Sequence, residues 1–264
     1  MTPRHPDNAA SDWSPIRASL RWCRLAGAIA TAAVGLALLF ARARGRPSRA
    51  ARAAWLHRSC RRLLPVFGLQ LTLRGVAPRS GLLVSNHLGY LDVLVLAATT
   101  PCVFVAKAEV RHWPVFGWFA RAVGTVFVTR SRRLETGAAV TGIAAALADG
   151  LPVVLFAEGT STGGAAVLPF RSALLDAAVR HGHPATPVAL DYVLPGGDAA
   201  AEVCYWKDMT LVPHLANLLG HRRIEARLTF RPVLPAIGDR KRLAASLHAE
   251  VLRAREPVLM PCPA

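Results

Sequence analysis

The chain has 264 residues, of which 53% are apolar, enough for one well-buried core but not for two independent ones. We therefore expect a single globular domain with an appendage. The five cysteines (23, 60, 102, 204 and 262) are scattered and form no C-x-x-C pair, which argues against a disulfide framework and a structural zinc site and favours a reducing cytoplasm.

The formal net charge is +16, and most of the basic excess lies near the N-terminus. Residues 1–80 contain 14 Lys/Arg and only two Asp/Glu. Such an excess predicts an anionic partner, either nucleic acid or a membrane surface. Here it flanks residues 25–41, an uncharged apolar run of 17 residues, which is close to the lower limit for crossing a bilayer. The combination favours an anionic membrane surface over nucleic acid.

The apolar run has three interpretations. Arginines flank both of its ends, so the charges set no orientation, and a spanning helix fits as well as an interfacial one. A cleaved signal peptide is the third, and it is disfavoured because the stretch before the run is long for an n-region. Residues 1–18, rich in proline and polar residues, are expected to form a disordered leader.

A second basic stretch, residues 49–64, carries an apolar helical stripe opposite several arginines, and Pro65 is expected to end the helix. This helix either lies on anionic lipid or packs on its own domain. The chain therefore divides into the leader (1–18), a membrane-anchoring helical segment (19–70) and a globular domain (71–264).

From residue 81 onward, short β-branched runs alternate with Ala/Leu-rich segments. This pattern predicts an α/β domain with a mostly parallel central sheet flanked by helices. The predicted strands are 82–85, 102–106, 125–129, 152–156, 187–192 and 224–230. The predicted helices are 91–98, 136–147 and 172–180.

Polar residues follow four of these strands at their carboxyl ends, where open α/β sheets bind ligands. They are Asn86 and His87, Lys107, Arg130, and the group Glu158, Gly159 and Thr160. We therefore expect these four strand ends to converge on one site.

The spacing of His87 and Asp92 sets the geometry that would let them meet. On a single helix, five residues would rotate them roughly 140° apart, so His87 has to lie in the loop before a helix and Asp92 in its first turn. The carboxylate would then fix the imidazole tautomer, leaving the other nitrogen to take a proton from an alcohol. Chance produces such a pair readily, so it carries weight only together with other motifs.

Two further segments provide such motifs. Residues 124–129 alternate in the manner of a strand and are followed at its end by Arg130, whose planar guanidinium suits a phosphate. Residues 156–161 place a carboxylate, a glycine and two hydroxyl groups just past a buried strand, where they could bind a phosphate or glycerol.

At this point the sequence resembles the glycerolipid and lysophospholipid acyltransferases. The family motif N-H-x-x-x-x-D matches Asn86, His87 and Asp92. Its motifs G-x-x-F-x-x-R and F-P-E-G-T are similar to residues 124–130 and 156–160, and the order of the motifs agrees across roughly residues 75–235. One departure is Ala157 where most members carry proline, which puts the rigidity of that loop in doubt.

The resemblance implies a mechanism and a set of substrate-binding residues. His87 would act as general base on the acceptor hydroxyl, Asp92 would orient it, and the hydroxyl would attack the thioester of acyl-CoA or acyl-carrier protein directly. No metal or cofactor is implied. The residues expected to hold the acceptor's polar head are Arg130, Glu158, Gly159, Thr160, Lys107 and Arg171.

The expected acceptor is 1-acyl-sn-glycerol-3-phosphate, which would give phosphatidic acid, with lyso-ornithine lipid as the alternative. Residues 205–215 are similar to a segment of a bacterial branch that includes enzymes for both acceptors. The resemblance also implies residence at the cell inner membrane, with the catalytic domain on the cytoplasmic side.

Two rival functions come from other classes of protein. Residues 159–163 fit the G-x-S-x-G elbow of a serine hydrolase, with Ser161 as nucleophile, but glycines and a proline follow where a helix is needed. A non-enzymatic membrane or nucleic-acid binder explains the charge but not the polar strand ends.

Overall fold

The computed structural model describes residues 12–129 and 133–255, and for residues 133–136 it describes the backbone only. The first helix, α1 (Pro15–Arg42), is capped by Ser14, whose hydroxyl accepts the Arg17 N–H. It is 28 residues long, apolar enough to cross a membrane, and only 11% of its most apolar window is buried. It begins inside the stretch predicted as leader, of which residues 1–11 lie outside the described part.

The second helix, α2 (Arg49–Leu63), continues into a short 3-10 turn (Leu64–Val66). Its residues Ala53, Trp55 and Cys60 are buried, and the helix packs against α3 (Leu91–Thr99). Of the two alternatives for this basic stretch, packing on its own domain is therefore the one observed.

The sheet follows as β1 (Leu69–Arg74), β2 (Gly81–Ser85), β3 (Val103–Lys107), β4 (Val126–Val128), β5 (Pro152–Phe156), β6 (Ala185–Val193) and β7 (Ile224–Phe230). The order among the described residues is β1-β7-β6-β2-β5-β3-β4. Only the β6–β7 pair is antiparallel, so β2 to β6 run in one direction and β1 and β7 in the other. The carboxyl ends of β2, β3, β4, β5 and β6 consequently share one edge.

Helices cover both faces of this sheet. The remaining ones are α4 (Phe116–Val123), α5 (Arg133–Ala148), α6 (Asp176–His181), α7 (Ala199–Glu202), α8 (Leu211–Gly220) and α9 (Arg240–Arg255). The central strand β2 is buried along its whole length because its alternate side chains enter two different core clusters. Leu83 packs with α3 and α8, whereas Leu82 and Val84 pack with α5 and α9.

The prediction of an α/β domain with a mostly parallel sheet is thereby confirmed. The predicted strands 152–156 and 224–230 have the observed bounds, and the other four differ by at most two residues at either end. Strand β1 was not predicted, and it pairs with β7 at the edge of the sheet.

Candidate active site

The loop between β2 and α3 holds the first predicted motif. Asn86 is fully buried, and its side-chain amide donates to the Leu190 carbonyl while its amide oxygen accepts the Leu190 N–H, both at 2.8 Å. This pair of hydrogen bonds attaches the loop to β6. His87 lies in the loop, and Asp92 lies in the first turn of α3. This is the arrangement that the spacing of the two residues requires.

The His87 and Asp92 side chains meet, with Nδ1 of the imidazole 2.7 Å from Oδ2 of the carboxylate. A carboxylate can only accept, so Nδ1 carries the proton and donates it, and Nε2 keeps its lone pair. The His87 ring also stacks on Phe156, with centroids 4.1 Å apart. Its side chain is 23% exposed whereas that of Asp92 is 0% exposed, so solvent reaches the imidazole but not the carboxylate.

Asp92 receives three further hydrogen bonds. The backbone N–H groups of Leu88 and Gly89 donate to Oδ2 at 2.6 and 3.0 Å, and the Tyr192 hydroxyl donates to Oδ1 at 2.9 Å. Burial and the nearby Asp92 charge raise the pKa of Tyr192 well above its usual value, so the hydroxyl stays protonated. Sequence analysis missed Tyr192, which lies 100 residues away on β6.

Glu158, which follows the neighbouring strand β5, supports the loop between β2 and α3 that carries His87. It is 2% exposed, and its two oxygens accept the His87 N–H at 2.7 Å and the Leu168 N–H at 2.8 Å. Burial raises the pKa of this carboxyl, against the lowering effect of the two backbone donors. Both oxygens bind backbone, so the geometry gives Glu158 a part in positioning His87; its predicted contact with substrate has no counterpart in these bonds.

The loop after β5 is held together although Ala157 replaces proline. The Ala157 carbonyl accepts the Arg171 N–H at 2.9 Å, and the Gly159 N–H donates to the Phe156 carbonyl at 3.1 Å. Gly159 has φ +78°, a backbone conformation that a residue with a side chain rarely adopts. Farther along this loop, the Thr162 N–H donates to the His87 carbonyl at 2.9 Å, which connects it to the loop between β2 and α3.

The other predicted substrate-binding residues lie along the same edge. Thr160 and Arg171 are exposed in the loop after β5, and Lys107 is exposed at the carboxyl end of β3. Arg130 lies outside the described residues. The sheet edge that carries His87 therefore also carries exposed basic and hydroxyl side chains.

The hydrolase alternative requires Ser161 on a sharp turn from a strand straight into a helix. Here residues 157–172 separate β5 from the next helical turn, Ala173–Leu175, so Ser161 lies within a long loop. That structural context for a nucleophilic serine is absent from this described segment.

Fold and site together define a class: an α/β protein with a partly exposed imidazole, backed by a buried carboxylate, at the carboxyl edge of its sheet. Such a pair can take a proton from a hydroxyl group. Comparison with known proteins then gives the family. Residues 71–191 match the model of the family described as Acyltransferase.

The lyso-ornithine lipid O-acyltransferase of Rhodobacter capsulatus is 38% identical over 200 residues, which cover 73% of this chain and 72% of that protein. Enzymes of the same description from three other bacteria are 33–40% identical. The 1-acyl-sn-glycerol-3-phosphate acyltransferase of Neisseria meningitidis is 30% identical over 167 residues, 63% of this chain and 65% of that protein.

The fold has a counterpart in the crystal structure of the 1-acyl-sn-glycerophosphate (LPA) acyltransferase PlsC from Thermotoga maritima. The TM-score is 0.68 at 17% identity, over 94% of this chain and 97% of that one. The chain belongs to the PlsC-like acyltransferase family and is an acyltransferase acting in lipid metabolism.

Proposed function

We propose that the protein transfers a fatty acyl group from acyl-CoA or acyl-carrier protein to the free hydroxyl of lyso-ornithine lipid. The observation that carries the chemistry is the 2.7 Å contact of His87 Nδ1 with Asp92, which leaves Nε2 available as a base. Nε2 takes the hydroxyl proton as the hydroxyl oxygen bonds to the thioester carbon. The carbon–sulfur bond then breaks, and the leaving thiolate takes the proton from the imidazolium, so no acyl-enzyme forms.

The acceptor is proposed from the relatives. Sequence analysis favoured 1-acyl-sn-glycerol-3-phosphate, but the relatives at 33–40% identity are described as lyso-ornithine lipid enzymes, whereas the Neisseria relative that takes the phosphate acceptor is 30% identical. Transfer to 1-acyl-sn-glycerol-3-phosphate is the second candidate, and the basic residues at the strand ends favour it.

For the phosphate of the second candidate acceptor we propose contacts with Lys107, Arg130, Gly159, Thr160 and Arg171. A guanidinium or ammonium at this edge can bind a carboxylate or a phosphate. Glu158 is better explained as a support for His87, because both of its oxygens bind backbone N–H groups.

The membrane location also forms part of the proposal. The largely exposed apolar helix α1 is consistent with membrane anchoring. The exposed Arg24 near its start and the exposed Arg42, Arg44 and Arg46 at its end suit anionic lipid headgroups. Arg17 and Arg21 instead bind backbone carbonyls of the domain. The acyl donors are water-soluble and are made inside the cell. We therefore place the catalytic domain on the cytoplasmic side of the inner membrane.

The test is an acceptor panel. Purified full-length protein in lipid nanodiscs is incubated with labelled acyl-CoA or acyl-carrier protein and with several lysolipids, and the products are resolved by mass. We expect ornithine lipid to form fastest. Transfer to 1-acyl-sn-glycerol-3-phosphate alone would select the second candidate, and release of free fatty acid without transfer would contradict both.

A further inference from the structure

An open, shallow cavity lies in the segment between β6 and α8, beside the loop of residues 86–90 that carries His87. Its volume is about 480 Å³, and its lining includes Asp198, Trp206, Lys207 and Asp208. β6 runs parallel to β2, so the segment that follows β6 emerges at the same sheet edge as His87. The proposed function above assigns no role to this cavity.

Backbone and ring contacts attach the cavity wall to the active site. The Tyr205 N–H donates to the Leu88 carbonyl at 2.8 Å, and only glycine fits at position 89, where a Cβ would lie 2.8 Å from that nitrogen. The Trp206 ring packs on Gly163, where an added Cβ would lie 2.7 Å from the indole. Gly163 directly follows Thr162, whose N–H binds the His87 carbonyl. The indole therefore separates the cavity from the loop after β5 and from the loop that carries His87.

The lining suits a cation and an anion side by side. The Trp206 ring holds an ammonium already, since Lys207 Nζ lies 4.0 Å from the ring centroid. Lys207 adopts a left-handed backbone conformation with φ +54°, which non-glycine residues rarely do and which often marks functional sites. Asp208 is exposed and makes no hydrogen bond or ion pair within the described residues.

The charge balance of the lining disfavours a phosphate. Oδ1 of Asp198 caps α7 by accepting the N–H groups of Ala200 and Ala201, so this carboxylate is held at the cavity wall. Two carboxylates and one ammonium give the cavity a net negative charge in a protein whose net charge is +16. A phosphate would be repelled by both carboxylates, whereas an ammonium would be attracted by them.

We propose that this cavity binds the headgroup of a zwitterionic amino-acid lipid and thereby sets acceptor specificity. The headgroup ammonium lies against the Asp208 carboxylate, and the headgroup carboxylate lies against the Lys207 ammonium. This inference rests on the proposed function, because ornithine carries both of these charged groups.

The test removes the two charges of the proposed ion pair one at a time. Full-length wild type, Asp208→Asn and the control Asp239→Asn are assayed with lyso-ornithine lipid and with a derivative whose side-chain amine is acetylated. Asp239 precedes α9, a helix of 16 residues or roughly 24 Å, whose far end contacts the Gly164 carbonyl through Arg255. Asparagine can replace Asp239 as the acceptor for the Lys241 N–H.

We expect acetylation to raise the acceptor KM of the wild type and of Asp239→Asn by about threefold to fivefold, the size of one partly exposed ion pair. The KM of Asp208→Asn should not respond to acetylation, and kcat should change less than the KM does. If Asp208 contacts the headgroup amine directly, acetylation has no further effect on the KM of Asp208→Asn. If the substitution only disturbs the fold, acetylation still raises the KM of this variant.

Equal acetylation effects in all three proteins would overturn the headgroup assignment while leaving the proposed function standing. A change in the KM of the acyl donor in Asp208→Asn would also overturn it, because the cavity would then belong to the donor. A wild type that acylates only 1-acyl-sn-glycerol-3-phosphate would overturn the proposed function and this inference together.

Discussion

Replacing Asp92 by asparagine removes the charge behind His87 and keeps the local geometry. Three N–H groups converge on Oδ2 of Asp92: those of the His87 ring, Leu88 and Gly89. In Asp92→Asn the amide oxygen has to take the Oδ2 position, because an NH₂ group there would face three donors. The NH₂ group then points toward Tyr192, whose hydroxyl can rotate to accept. The His87 tautomer with the proton on Nδ1 and the conformation of its loop are therefore kept, while the negative charge of Asp92 is lost.

The expected loss of rate follows from the electrostatics of the pair. When Nε2 takes the substrate proton, the ring becomes a cation next to the Asp92 carboxylate, which is 0% exposed and little screened by water. Two unit charges about 4 Å apart attract by about 4 kcal/mol at an effective dielectric constant of about 20. If that attraction acts only in the transition state, its removal lowers kcat by about 10³-fold.

The assay compares initial rates for wild type, Asp92→Asn and Asp239→Asn, alongside denaturant unfolding of each protein. We expect the free energy of unfolding of Asp92→Asn to stay within about 1.5 kcal/mol of the wild type, because the weaker neutral hydrogen bonds are offset by the smaller desolvation cost of a buried amide compared with a buried carboxylate. A folded Asp92→Asn variant that keeps more than a tenth of the wild-type kcat would refute the reasoning.

Three other predictions concern the surroundings of this pair. Tyr192→Phe removes the hydroxyl that donates to the buried Oδ1 of Asp92, so the free energy of unfolding should fall by about 1–3 kcal/mol, and kcat should fall with it; unchanged unfolding curves and rates would count against this. Ser161→Ala should keep most of the acyl transfer measured by product mass, whereas an inactive variant would support the alternative in which Ser161 is the nucleophile of a serine hydrolase. Burial lowers the pKa of His214 and of His221, so below about pH 6.5 the unfolded chain binds protons that the folded chain does not. Urea unfolding should therefore show stability falling from pH 7.5 to pH 5.5, by at most about 1.4 kcal/mol per pH unit for each histidine, and a flat profile would contradict it.

The elements that sequence analysis predicted are those with local signals. Strand 152–156 is a continuous apolar run, and the structure buries nearly all of it in the centre of the sheet. Strand β1 was not predicted because it follows a basic helix and lies at the exposed edge of the sheet, where few of its residues are buried. Helix α1 was predicted as a membrane anchor from its hydropathy and flanking charges. The packing of α2 on α3 could not be predicted, because it depends on which element covers the apolar face of α2.

The residues of the candidate site likewise include some that local sequence predicts and some that only the structure shows. The spacing of His87 and Asp92 dictates a loop followed by a first helical turn, so the sequence alone predicts where these two residues lie. Tyr192 could not be found, because its contact with Asp92 depends on β6 lying next to β2, across 100 residues of chain. Glu158 was expected to face substrate, and only the distances show that its oxygens bind the backbone of the catalytic loops.

The central claim is that His87 transfers the acyl group directly to a lipid hydroxyl. The most direct measurement incubates wild type and His87→Ala with labelled acyl donor and lyso-ornithine lipid, and follows both the ester product and the mass of the intact protein. We predict that the wild type forms ester without an acylated protein and that His87→Ala forms none above background while its unfolding curve matches the wild type. Ester formation by His87→Ala at more than a tenth of the wild-type rate, or an acyl adduct on the wild-type chain, would contradict this mechanism.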